Sequence, residues 1–227
     1  MKKSLFTFLF LCTLSVNLSA QDANDKTCPN NKHPHMIDLG LPSGTKWACC
    51  NVGADTPEAY GKYFAWGETE EKSSYSPKSY MFCTGDDTDG DGWYDENVKY
   101  VEEEEDFGDI ISGTHDVAHV KWGKSWQIPT LEQIRELLDN CSSEWTSVNG
   151  VEGRRFTGPN GASIFLPAAG NRNGASRILA GSSGNYWSST WGTSDASRAN
   201  ELTFDSGYTN VHTTYRYNGR SVRPVAK

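Results

Sequence analysis

The sequence predicts an α+β domain in which short helices pack on small antiparallel sheets, and three observations carry the prediction. Short apolar runs broken by Gly, Pro and Asn fill both ends of the chain. One central segment, "IPTLEQIRELLDNC", places apolar residues at helical spacing. Between the first strands and that helix lies a long acidic stretch, from about residue 68 to 111, which reads as an insertion. Strands at both ends with helices between them argue for α+β and against a βαβ series.

Residues 1–20 read as a secretory signal: Lys2 and Lys3 precede the apolar run from Leu5 to Val16, and Ala20 supplies the small residue before cleavage. The run is short for a membrane span, and no later segment approaches that length. Residues 21–35 are polar and proline-containing, a flexible lead-in to one domain over 36–227. "MIDLG", "LPSG" and "TKWACCNVG" predict strand, turn, strand. In "TPEAYG", Thr56 as N-cap, Pro57 at the first helical position and Gly61 as stop predict one helical turn. Carboxylate repulsion in the acidic stretch, which includes "VEEEED", predicts a surface element. A short helix follows at "HDVAHVKWG". In the main helix Thr130 and Gln133 form a capping box, and Leu131, Ile134, Leu137 and Leu138 share a face. Beyond it, "EWTSV" and "RRFTG" flank Asn149-Gly150 as a hairpin, and "SIFLPAAG", "NYWSSTW", "ANELTFD" and "GRSVRPV" supply further strands. Trp47, Trp66, Trp122 and Trp126 are expected in the core.

The full chain carries a net charge of −8. Without Lys2 and Lys3, 19 basic residues face 29 acidic ones, a net of −10, which argues against nucleic acid or an anionic membrane as partner. Cys28, Cys49, Cys50, Cys83 and Cys141 follow the signal, and secretion makes disulfides the default, with one thiol left over from an odd number.

The stretch "DDTDGDGWYDE" has hard oxygen ligands at alternate positions. Asp87, Asp89, Asp91 and Asp95, with the Trp93 carbonyl and Gly92 at the turn, match most of a calcium loop. Val98 stands where an EF-hand has its bidentate glutamate, so the loop is incomplete, and calcium is expected in a structural role away from the ligand face. "HDVAH" superficially matches a zinc protease helix, but no third ligand follows at a suitable spacing. No Gly-x-Ser-x-Gly elbow occurs. Glu68, Glu70, Asp195, Glu201 and Asp205 could furnish a glycosidase pair, which sequence alone cannot bring together.

Six motifs come in a fixed order: "IDLGLPSGTKWACCNVGA", "YGKYFAWGET", "VKWGKSWQIPT", "NGVEGRRFTGPNGASIFLPAAG", "YWSST" and "NGRSVRPV". In these the chain resembles the Fibrobacter major paralogous domain family over about residues 36–227, departing most in the acidic insertion. The resemblance implies a C-type-lectin-like fold whose ligand face is built late, here from about Asn171 to Tyr217. Within that stretch Asn171, Arg172, Asn173, Arg177, Tyr186 and Trp191 come first. Arg198, Asn200, Tyr208, Asn210, His212, Tyr215, Arg216 and Tyr217 follow. Rigid rings with adaptable Asn and Arg are the chemistry of a paratope. The resemblance also implies a Cys50–Cys141 disulfide, with Cys28, Cys49 and Cys83 left ambiguous. The Glu-Pro-Asn, Gln-Pro-Asp and Trp-Asn-Asp motifs of animal lectins are missing, and so are the C-terminal cysteines of formylglycine-generating enzymes. The expectation is a secreted, non-enzymatic module that binds an extracellular protein or glycan, with calcium stabilising the insertion. The alternatives are an extracellular enzyme acting on polysaccharide and a structural subunit of a surface assembly.

Overall fold

The structure, a computed structural model, describes residues 35–101, 110, 113–192 and 195–226. In chain order its strands and helices are β1 (Met36–Asp38), β2 (Lys46–Ala48), β3 (Cys83–Asp86), β4 (Glu96–Tyr100), α1 (Val117–Trp122), α2 (Leu131–Asn140), β5 (Ser142–Val148), β6 (Val151–Thr157), β7 (Ser163–Pro167), β8 (Asn171–Asn173), β9 (Ser176–Ile178), β10 (Gly184–Trp191), β11 (Arg198–Phe204), β12 (Thr209–Tyr215) and β13 (Val225–Ala226). The sheets are small and antiparallel, and the architecture is α+β. β2 lies between β1 and β13, with Ile37 and Val225 both opposite Trp47, so the two ends of the described chain share one sheet.

The local signals work as their chemistry requires. The Thr130 hydroxyl accepts the Gln133 N–H at 3.2 Å, and the Gln133 side chain accepts the Thr130 N–H at 2.9 Å, which satisfies two of the donors a helix start leaves open. α2 then buries Ile134 and Leu137 beside Phe156, Leu166, Tyr186, Leu202 and Phe204. Between β5 and β6, Asn149 (φ 50°) and Gly150 (φ 79°) both take the left-handed conformation that a tight two-residue hairpin turn needs. Trp47, Trp66 and Trp126 are buried and Trp122 packs half-buried against the core.

Arg223 is 1% exposed and uses all five of its N–H donors. Nε bonds Asn51 Oδ1, Nη1 bonds the carbonyls of Ala48 and Cys49, and Nη2 bonds those of Pro57 and Phe165, at 2.9 to 3.4 Å. One side chain near the C-terminus thus fastens the end of β2, the following loop and β7.

Three expectations change. "TPEAYG" forms a hydrogen-bonded turn from Thr56 O to Ala59 N–H and no helix, because the Pro57 carbonyl turns inward to Arg223. The acidic stretch is only partly a surface element. Tyr75, Tyr80, Phe82 and Cys83 are core residues, since Glu68 pairs with Lys72, Glu70 with Lys121 and Glu71 with Lys62, while the Tyr75 and Tyr80 hydroxyls donate to the carbonyls of Tyr63 and Trp66. The rest is the β3–β4 hairpin, on which the Tyr94 ring crosses Gly85 so closely that a Cβ there would lie 2.7 Å from it. "VEEEED" beyond Val101 lies outside the described residues.

No disulfide joins Cys50 to Cys141 in the structure. Cys50 is wholly buried and Cys141 sits at the C-terminal end of α2, where burial pushes its thiol up to about 11. Among the described residues no helix is long and apolar enough to cross a membrane.

Candidate ligand-binding face and acidic loop

The late segment is organised by the sheet β10-β11-β12, in which β12 is an edge strand paired to β11 without interruption over seven residue pairs. α2 packs against this sheet, and period-two alternation sends Tyr186, Leu202 and Phe204 toward the helix. The structure therefore divides the predicted binding residues. Tyr186, Asn171, Arg216 and Tyr217 are buried, which corrects their assignment as ligand contacts. Tyr186 is fixed by donating its hydroxyl to the Pro167 carbonyl at 2.6 Å and by stacking on Phe204 at 5.8 Å. Asn200 is also structural, since its amide bonds the carbonyls of Thr190 and Trp191 where β10 shifts register.

Arg216 is 0% exposed, and its guanidinium lies 5.0 to 5.8 Å from the ring centres of Trp66, Tyr80, Tyr100 and Trp191. Its Nη2 donates to the Val101 carbonyl at 2.8 Å, so it tethers the acidic hairpin to the end of β12. Trp191 serves this cage, in contact with Trp66 at 6.3 Å.

The remaining residues form two groups, exposed except for the half-buried Arg172 and Arg198. On the β8–β9 hairpin stand Arg172, Asn173 and Arg177. On β11–β12 stand Arg198, Tyr208, Asn210, His212 and Tyr215. In the second group the Arg198 guanidinium lies 4.3 Å over the Tyr215 ring, and Tyr215 stacks on Tyr217 at 5.2 Å and 14°. Tyr217 in turn meets the edge of Trp93, from the acidic loop, at 5.5 Å. A continuous ladder thus runs from the half-buried Arg198 to the loop. Burial pushes the Tyr217 hydroxyl up to about 12. Asp195 orients Arg198 at 3.2 Å and is held below the usual carboxylate range by hydrogen bonds from Ser197 and then Arg198.

In the loop, Asp87, Asp89 and Asp95 each offer a carboxylate oxygen within 4.8 Å of the others and could hold a metal ion. Asp91 is not among them; its Oδ1 accepts the Trp93 N–H at 2.8 Å. Asp87 Oδ1 accepts the Gly90 N–H at 2.8 Å and Oδ2 accepts that of Gly92 at 3.2 Å and bonds Lys78, and the lysine is the main reason its carboxyl is held below the usual range. Asp95 is lowered in the same direction by the hydroxyl and N–H of Thr88. The loop lies far from the late segment in sequence but against it in space, through Trp93.

The other candidates take structural parts. α1 begins at Val117, so His115 and His119 do not share a helix face; Asp116 is the N-cap, accepting the N–H groups of Ala118, His119 and Ile128. Glu201 is buried in a 2.5 Å pair with Arg220, with burial raising its carboxyl and Arg220 partly offsetting the rise. Asp205 accepts the Gly207 and Tyr208 N–H groups in the β11–β12 turn. Comparison of the chain with protein-family models, with curated proteins and with solved structures gives no match.

Proposed function

We propose that the protein is a secreted, non-enzymatic module of the C-type-lectin-like kind that recognises an extracellular protein or glycan through the exposed residues of β11–β12 and its turn, with calcium held by Asp87, Asp89 and Asp95. The observation that carries this reading is the ladder Arg198, Tyr215, Tyr217 and Trp93, preordered rings that begin at the end of an edge strand, while Tyr208, Asn210 and His212 are exposed elsewhere along that strand and its turn. Rings already stacked lose little rotamer freedom when a ligand covers them. The ladder also changes the expected part of calcium, because a metal that orders the loop sets the position of Trp93 and, through Tyr217, of Tyr215.

Two measurements follow. On a combined glycan and extracellular-protein array, selective binding in calcium that weakens in EDTA is the expected result; binding indifferent to EDTA would separate the loop from recognition, and silence on the array would count against a binding module. Lys78 competes with a metal for Asp87, so Lys78→Met is expected to tighten calcium binding about two- to fivefold, the size of an exposed ion pair. Titration calorimetry with calcium checks this, and an unchanged or weakened Kd would contradict it.

A further inference from the structure

On the β8–β9 hairpin Arg172 and Arg177 are direct cross-strand partners. Like charges placed opposite each other destabilise a strand pair, and a hairpin of three residue pairs has little stability with which to absorb the penalty. Nor is the charge neutralised: among the described residues no carboxylate lies in ion-pair reach of either arginine, although the chain is acidic overall. Glu71 and Glu68, whose charges reach the neighbouring Tyr75, are engaged by Lys62 and Lys72. Each guanidinium is instead laid over a ring, Arg172 over Tyr63 at 5.8 Å and Arg177 over Tyr60 at 5.5 Å. Arg172 is further fixed by the Ala175 carbonyl at 3.2 Å. Tyr63 is itself anchored by its hydroxyl to the Ala169 carbonyl. Burial raises that hydroxyl's pKa, and the nearby charges of Arg177 and then Arg172 pull it back. Next to Arg177, Ile178 is 41% and Leu179 56% exposed, and Leu179 holds φ at 59°, a conformation costly for a bulky side chain.

We propose that Arg172 and Arg177, stacked on Tyr63 and Tyr60, form an oxyanion site for an anionic polysaccharide, with Ile178 and Leu179 offering a ledge to the apolar face of a sugar ring. Guanidinium forks fit sulfate and carboxylate oxygens in pairs, and pre-stacked arginines surrender little freedom on binding. The site lies outside the β11–β12 face and does not depend on it.

The test is surface plasmon resonance of the full protein on immobilised dextran sulfate, polygalacturonate and neutral dextran. Saturable binding to either polyanion and none to neutral dextran is expected; which polyanion binds tells sulfate ester from carboxylate. R172Q/R177Q should lower affinity about tenfold or more, and the charge-preserving R172K/R177K should fail to restore it, while R198Q/H212A/Y215A keeps it. Both arginines are partly or fully exposed, so a matching melting curve confirms that the double variant is folded. Equal binding to neutral dextran, binding to neither polyanion, full affinity in R172Q/R177Q, or loss in the β11–β12 variant instead would overturn the proposal.

Discussion

Arg223→Ala is expected to cost about 4 kcal/mol or more in unfolding free energy, enough to leave a marginally stable domain largely unfolded. The substitution removes five donors at once. It takes the guanidinium from the buried carbonyls of Ala48, Cys49 and Phe165, from the buried amide oxygen of Asn51 and from the half-buried Pro57 carbonyl. Arg223→Lys should recover little, because a point ammonium with three donors cannot span acceptors arranged around a planar fork. Urea unfolding followed by tryptophan fluorescence measures both variants. A loss below about 1 kcal/mol in the alanine variant would show that water replaces the guanidinium, and would remove Arg223 from its place as the fastener of β2 and β7.

Arg216→Met should cost about 3 kcal/mol and should act unevenly across the molecule. The guanidinium fills a cage of Trp66, Tyr80, Tyr100 and Trp191 and bonds the Val101 carbonyl, so it joins the core to the acidic hairpin. Methionine occupies much of the space but supplies neither charge nor donor. Hydrogen exchange is therefore expected to accelerate first in β3 and β4, ahead of β6 and β10. Uniform acceleration would mean that the cage supports the whole core and gives the hairpin no special attachment.

These two arginines also show where sequence reading stops. Short-range signals were legible: the Thr130 and Gln133 box, the Asn149-Gly150 turn and the α2 stripe depend on neighbours in the chain, and each appears in the structure. Arg216 and Tyr217 look from their sequence like surface residues of a polar loop. Their burial depends on partners far along the chain, Trp66 and Tyr100 for one and Trp93 for the other, which spacing cannot reveal. Tyr186 misleads for the same reason, because its hydroxyl is satisfied by Pro167 and by no ligand.

The acidic loop was half legible. Its alternate aspartates announce an oxygen cluster, and the structure gathers three of them. A Trp-Tyr pair within an acidic run was the available sign of something more, since large rings there need somewhere to pack. Tyr94 packs over Gly85 and Trp93 against Tyr217, which carries the loop to the edge of the proposed face. The support of Arg172 and Arg177 by Tyr63 and Tyr60 carried no sequence signal, because the two pairs come from well-separated segments.

The central claim is that β11–β12 presents the recognition surface. The most direct test applies the wild-type protein and R198Q/H212A/Y215A side by side, in calcium, to the glycan and extracellular-protein array, with melting curves to establish that both are folded. Selective ligands bound by the wild type and lost by the variant are the predicted result; the same ligands bound equally by both would contradict it.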